Sequence, residues 1–259
     1  MHYLLDLEVR GERFAGTQRQ QERRTVQGVV ERAVSIVAGS PTMVRPASRL
    51  DAGVDARHLP CDVRLERAWD LRALCHAVNR HLPPDCRVRR SAVVADGFNC
   101  QHRAASKTYR YRCVVRGAAP VRDARRWWLT RPVDAGILDR CAALIPGRRD
   151  LSAFSALRRD DSDDDDPVRS VLAARWDHGD DDGDPVHDFL ITGEGFLYRQ
   201  VRALAGAMVC CAMGGAPEAA FAAACAAGRG GPRPGNIAPA EGLCLEAVRY
   251  DPEPAWGAA

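Results

Sequence analysis

Residues 47–57 read ASRLDAGVDAR, and one carboxylate in this stretch is placed to do chemistry. Asp51 stands two residues after Arg49 and directly before Ala52-Gly53. A nearby guanidinium favours the ionised form of a carboxylic acid, so Asp51 is expected to be charged at neutral pH. Gly53 lets the backbone bend and lets a ligand come close. An ionised, accessible carboxylate on such a loop is a candidate nucleophile or general base. The plainer reading of Arg-x-Asp in a loop is a turn with a surface ion pair, which contributes little.

The elements that must position this loop follow from periodicity. Tyr3 to Val9 alternates apolar and polar residues and predicts a strand. Thr25 to Ala38 has apolar residues at helical spacing, with Thr25 suited to capping. Met43 to Ala47 reads as the strand entering the Asp51 loop and Cys61 to Leu65 as the strand leaving it. Leu71 to His81 predicts a helix stopped by Pro83-Pro84, and Arg87 to Val94 a strand. Further on, Lys107 to Val115 alternates as a strand, and Ala135 to Ile145 is helical. Arg169 to Trp176 and Asp188 to Thr192 read as paired strands. Phe196 to Met213 reads as a long helix, Pro217 to Gly228 as a short one, and Leu243 to Tyr250 as a last strand. Without regular strand–helix alternation, the order points to an α+β fold of antiparallel sheet covered by helices. Two acidic stretches, Asp160 to Asp166 and Gly179 to Pro185, are expected to be solvated loops, because repelling carboxylates disfavour regular structure. A Ca²⁺ site is the sharper alternative, but the first stretch lacks the glycine and distal glutamate of an EF-hand.

Composition bounds the class. A chain of 259 residues, 46% hydrophobic, can bury a substantial core in one large or two small domains. No apolar run is long enough for a membrane span. Charges within the first ten residues argue against a secretion signal, and ten scattered cysteines without a CxxC pair read as reduced, mostly buried thiols, so a cytoplasmic protein is expected. Residues 1–159 hold 30 basic and 16 acidic side chains, net +14, while residues 160–259 hold 7 and 18, net −11. An arginine-rich first part is the footprint expected for a phosphate-bearing partner. Lysine occurs once, at Lys107.

Four stretches in order resemble one family: FAGTQRQ from Phe14, ASRLDAGVDAR from Ala47, FNCQHRAASKTYRYRC from Phe98, and GEGFLYRQVRALAG from Gly193, with AVNRHLP from Ala77 and EGLCLEAV from Glu241. Together they are similar to the TruA family of tRNA pseudouridine synthases, over nearly the whole chain from Leu5 to Tyr250. The resemblance implies the pseudouridine synthase fold, with two α/β subdomains of mainly antiparallel sheet and a cleft between them. Residues 1–104 would carry the Asp51 loop, and residues 105–259 the Tyr109 strand and the Arg202 helix. It implies isomerisation of uridine in the anticodon stem-loop of tRNA by a homodimer, with no metal and no cofactor.

By the same resemblance, Asp51 is the catalytic aspartate, Tyr109 lies against the target base, and Arg202 pairs with the aspartate. Arg49 anchors a phosphate or the loop, Leu243 forms an apolar floor under the uracil, and Arg19 lies on the RNA-binding face. Gln101 stands where the family's FHAR-type segment has an arginine that helps to flip the base. Other positions depart too. The family's RTDAGVH has Leu50 and Asp55 here, its YDG is Val9-Arg10-Gly11, and the tryptophan before QRQ is Thr17. Two other readings stay open: a divergent synthase acting on another RNA or a free uridine nucleotide, and an inactive RNA-binding relative. The joint presence of Asp51 and Arg202 speaks against the last.

Overall fold

The computed structural model describes residues 1–118, 125–156, 166–228 and 230–258. In chain order its elements are β1 (His2–Val9), α1 (Val26–Ala38), β2 (Val44–Pro46), β3 (Asp55–Arg64), α2 (Leu71–Asn79), β4 (Cys86–Val94), β5 (Ala104–Val115) and β6 (Trp127–Leu129). They continue with α3 (Ala135–Ala143), β7 (Gly147–Asp150), β8 (Val168–Asp181), β9 (Asp184–Gly193), α4 (Gln200–Ala212), α5 (Glu218–Ala227), β10 (Leu243–Tyr250) and β11 (Gly257–Ala258). The fold is α+β and mostly antiparallel, as the sequence predicts. The chain forms two compact units: Met1–Lys107 with Cys244–Ala259, and Thr108–Leu243.

In the first unit the strand order is β11-β4-β1-β3-β10, with β2 on β3. β1 runs antiparallel to both β3 and β4, and β10 joins β3 in parallel at Cys244–Asp55 and Leu245–Ala56. Helix α2 covers β4, and α1 packs on β2 and α2. β1 is buried on both faces from His2 to Leu7, and Tyr3, Leu4, Leu5, Leu7, Leu59, Leu74 and Val78 are all fully buried. Local chemistry sets the helix ends. The Thr25 hydroxyl accepts from the Gly28 N–H at 3.3 Å, and Asp70 caps Ala73 at 2.9 Å.

In the second unit the order is β5-β9-β8-β7, with β6 on β5. α3 lies on β8 and α4, and α5 on α4. Tyr111, Phe154, Phe189, Leu204, Met208 and Phe221 form its buried centre.

Two expectations need correction. Gly179 to Pro185 is not a solvated loop. β8 and β9 pair down to Asp181 and Asp184, and only Asp182 and Gly183 turn the chain. Both have positive φ, 56° and 86°, the pattern of the tight hairpin turn that matches strand twist. The carboxylates do not repel the strands apart because Arg126 pairs with Asp181 and Arg116 with Asp184. The long helix starts at Gln200 rather than Phe196, since Arg199 adopts φ 58° and breaks the helical path before it. Of the first acidic stretch, only Asp166 is among the described residues.

Candidate active site

In the first unit, the Asp51 loop leaves β2 and enters β3. The Ala47 N–H donates to Pro60 at 2.8 Å, closing the loop at its root. The Val54 N–H donates back to the Asp51 carbonyl at 3.2 Å, making a tight turn in which Gly53 takes φ 83°. That turn presents Asp51 at partial exposure, between buried Leu50 and buried Val54.

The segment from Gly11 to Thr17 holds this loop by its backbone. Thr17, 1% exposed, accepts from the Leu50 N–H through its hydroxyl at 2.8 Å, and its own N–H donates to the Leu50 carbonyl at 3.1 Å. The Gly53 N–H donates to Phe14 at 3.3 Å, and the Gly11 N–H donates to the Asp55 carboxylate at 2.6 Å. On the other side, the Lys107 ammonium donates to the Ala47 carbonyl at 2.8 Å. Burial pushes the Lys107 pKa below the ordinary lysine value.

The other residues singled out in this unit lie on the surface. Arg49 is exposed and meets the Gln18 amide oxygen, at 3.0 Å from Nε and 3.3 Å from Nη2, once that amide is oriented to accept. Arg19 is exposed and reaches Glu31 at 3.5 Å. Gln101 is exposed on the turn before β5, its N–H donating to the Asn99 side chain at 3.0 Å. The first unit thus joins Asp51, Arg49 and Arg19 through the short segment Thr17-Gln18-Arg19.

In the second unit, Tyr109 points from β5 with 6% exposure, its ring edge-on to Phe196 at 5.4 Å. Arg202 on α4 donates from Nε to the Ala238 carbonyl at 2.8 Å, while the Ala238 N–H returns a bond to the Arg202 carbonyl at 3.1 Å. Tyr111 donates to the Pro239 carbonyl at 2.8 Å; burial drives its pKa up strongly, and the Arg202 charge opposes that shift. The Gly242 backbone lies against the Tyr111 ring, and Leu243, 7% exposed, opens β10 immediately after it. Arg202 and Leu243 therefore flank one anchored segment, 238–242.

Sequence reasoning missed Thr17 and Lys107 as supports of the loop, and Phe196 as the neighbour of Tyr109. Thr17 and Phe196 lie inside the motifs, but only the fold shows what they touch. Burial raises the thiol pKa at Cys86 to about 12 and at Cys225 to about 11, which keeps these thiols protonated and inert. Among the described residues, no group of three or more His, Cys, Asp or Glu side chains is arranged to hold a metal ion, and no helix is long and apolar enough to cross a membrane.

A family model described as tRNA pseudouridine synthase matches residues 141–251. Curated proteins named tRNA pseudouridine synthase A are similar over most or all of the chain. That of Mesorhizobium japonicum is 31% identical over 252 residues, covering 96% of this chain and 98% of its own. That of Methylobacterium sp. strain 4-46 is 34% identical over 257 residues, 97% of this chain and 98% of its own. That of Rhodospirillum rubrum is 34% identical over 210 residues, 80% of this chain and 73% of its own. A solved chain from a Cbf5-Nop10-Gar1 complex, at 8% identity and TM-score 0.35 over 97% of this chain and 59% of that one, is too distant to bear on the fold. The chain belongs to the tRNA pseudouridine synthase A family.

Proposed function

We propose that this chain converts uridine to pseudouridine in the anticodon stem-loop of tRNA, with Asp51 as the nucleophile. In that isomerisation the C1′–N1 bond breaks and a C1′–C5 bond forms. C5 gives up a proton and N1 takes one, so the reaction is redox-neutral and calls for no cofactor. Asp51 attacks the uridine as a carboxylate, and its bond to the substrate breaks again before the product leaves. Tyr109 lies against the flipped base, a contact worth roughly 1–3 kcal/mol. Arg202 serves as the partner of the catalytic aspartate, Leu243 lies under the uracil, and Arg49 and Arg19 meet phosphates. Gln101 takes the place of a base-flipping arginine, and two copies of the chain form the working dimer.

The observation that carries this reading is the hold on the Asp51 loop. Backbone bonds from Phe14 and Thr17 clasp a turn whose one carboxylate stays accessible. A surface ion pair has no need of such support, whereas a catalytic carboxylate needs a fixed position.

The test is Asp51→Asn, measured by pseudouridine-selective derivatisation on a tRNA transcript, an isolated anticodon stem-loop and free UMP. The amide has nearly the same shape but cannot serve as the nucleophile, so turnover should vanish while the fold is kept. Activity within about tenfold of wild type would remove Asp51 from the chemistry. Turnover of UMP alone would overturn tRNA as the substrate.

A further inference from the structure

The chain contains 36 arginines and one lysine. In so biased a sequence, the single lysine marks a position where a planar guanidinium does not serve and a compact ammonium does. Lys107 sits near the start of β5 and donates from Nζ to the Ala47 carbonyl at 2.8 Å. Ala47 is fully buried, and its N–H is already bonded to Pro60. Both peptide groups of Ala47 are therefore fixed, four residues before Asp51.

This arrangement is costly for the fold. Desolvation lowers the Lys107 pKa, and Cys100 is the other group that acts on it. Among the described residues, no carboxylate forms an ion pair with Lys107. Lys107 is half-buried, so its partly desolvated charge, with a carbonyl in place of a counter-ion, costs some stability. A methionine of similar length would fill the same space without that cost. Groups that a fold retains against its own stability are commonly retained for function.

We propose that Lys107 is a positioning residue for the reaction: its ammonium holds the Ala47 carbonyl and thereby fixes the loop from which Asp51 acts. This rests on the role given to Asp51 above. A displacement of about 1 Å at a reacting group can cost on the order of a hundredfold in rate, so one anchored carbonyl is enough to matter.

Full-length Lys107→Met, Lys107→Gln and Lys107→Arg are compared with wild type and with Asp51→Asn. Three quantities are read: the thermal unfolding midpoint, the Kd for unmodified tRNA, and the single-turnover rate at saturating enzyme. Lys107→Met should unfold at the same temperature or higher and bind tRNA within about threefold of wild type, yet react about ten- to a hundredfold more slowly. Lys107→Gln keeps an N–H donor and should fall between the two, while Lys107→Arg should not restore the rate. Should Lys107→Met fail to fold, Lys107→Gln carries the same comparison.

A parallel fall in midpoint and rate would make Lys107 merely structural. Weakened binding with an unchanged saturating rate would make it an RNA contact. Either result, or an unchanged rate, overturns the proposal. If Asp51→Asn is inactive and Lys107→Met is normal, this proposal alone fails. If Asp51→Asn stays active, the role of Asp51 fails and the proposal falls with it.

Discussion

Asp51 is presented by a turn that its neighbours hold through main-chain atoms, so the hold survives changes of many side chains. Side chains add to that hold: Lys107 and Asp55 supply one bond each, and the Thr17 hydroxyl is the acceptor for the buried Leu50 N–H. Thr17→Val keeps the shape and removes the acceptor, and a buried N–H left without a partner costs about 1–3 kcal/mol. Urea unfolding should show a lowered midpoint at unchanged slope for Thr17→Val and near-normal behaviour for Thr17→Ser. Equal stability of Thr17→Val and wild type would mean that this bond does not support the loop. Two departures from the family pattern lie at these bonds: Thr17 supplies the hydroxyl that the Leu50 main chain meets, and Asp55 takes the Gly11 amide. The motif residues were legible in the sequence, but these pairings were not, since residues 11–17 and 50–55 meet only in the fold. A second residue-scale test concerns pH. Arg24 forks onto Asp85 at 2.7 and 2.8 Å, and this hydrogen bonding holds the Asp85 pKa below the usual carboxylate value. A depressed folded-state pKa stabilises above the unfolded value, and the gain is lost as pH falls through the folded one. Asp85→Asn should therefore be less stable than wild type at neutral pH, with the gap closing as pH drops below about 4. A gap that persists undiminished at pH 2 would assign it to something other than charge.

The β8–β9 hairpin shows where patterning alone misleads. Its tip carries Asp180, Asp181, Asp182 and Asp184, and a count of charges reads it as loop. The fold supplies Arg116 and Arg126 as partners, and Asp180 accepts the Gly183 N–H at 2.7 Å, so the strands continue to a two-residue turn. The Asp-Gly dipeptide was the local signal for that turn. Gly183→Ala must hold a side chain at φ 86°, which costs about 1–2 kcal/mol in a left-handed conformation. A matching drop in unfolding free energy is expected, and no drop would mean that the hairpin end does not contribute to the cooperative fold. Helices with a polar cap before an apolar stripe, α1 to α3, start close to where the sequence puts them. The start of α4 was hidden because Phe196 to Arg199 are residues that helices accept, and only Arg199's backbone reveals the break. β6 and β7 are too short, at three and four residues, to show a period, and nothing in the linear order places β10 beside Asp55.

At the scale of the whole molecule, the fold redistributes the charge seen along the chain. The contrast of +14 and −11 divides the sequence at residue 160, but the units divide it differently. Residues 1–107 with 244–259 hold 19 basic and 15 acidic side chains, net +4, and residues 108–243 hold 18 and 19, net −1. Within the second unit the arginines of 110–126 meet the aspartates of 181–188: Arg112 binds Asp188 at 2.5 Å, Arg110 approaches Asp188 at 3.8 Å, Arg116 reaches Asp184 at 3.4 Å, and Arg126 pairs with Asp181. Charges paired in this way are poor phosphate ligands until released. Replacing Asp181 and Asp184 together by asparagine keeps the hairpin's size and removes the carboxylates that face Arg126 and Arg116. Because each phosphate contact releases condensed counterions, the plot of log K for RNA binding against log salt should steepen by about 0.7–0.9 for each arginine that then reaches a phosphate. Affinity should rise at low salt, and the rise should fade as salt increases. An unchanged slope would show that these two arginines lie off the path of the RNA, and that their pairs serve only to keep an acidic hairpin folded.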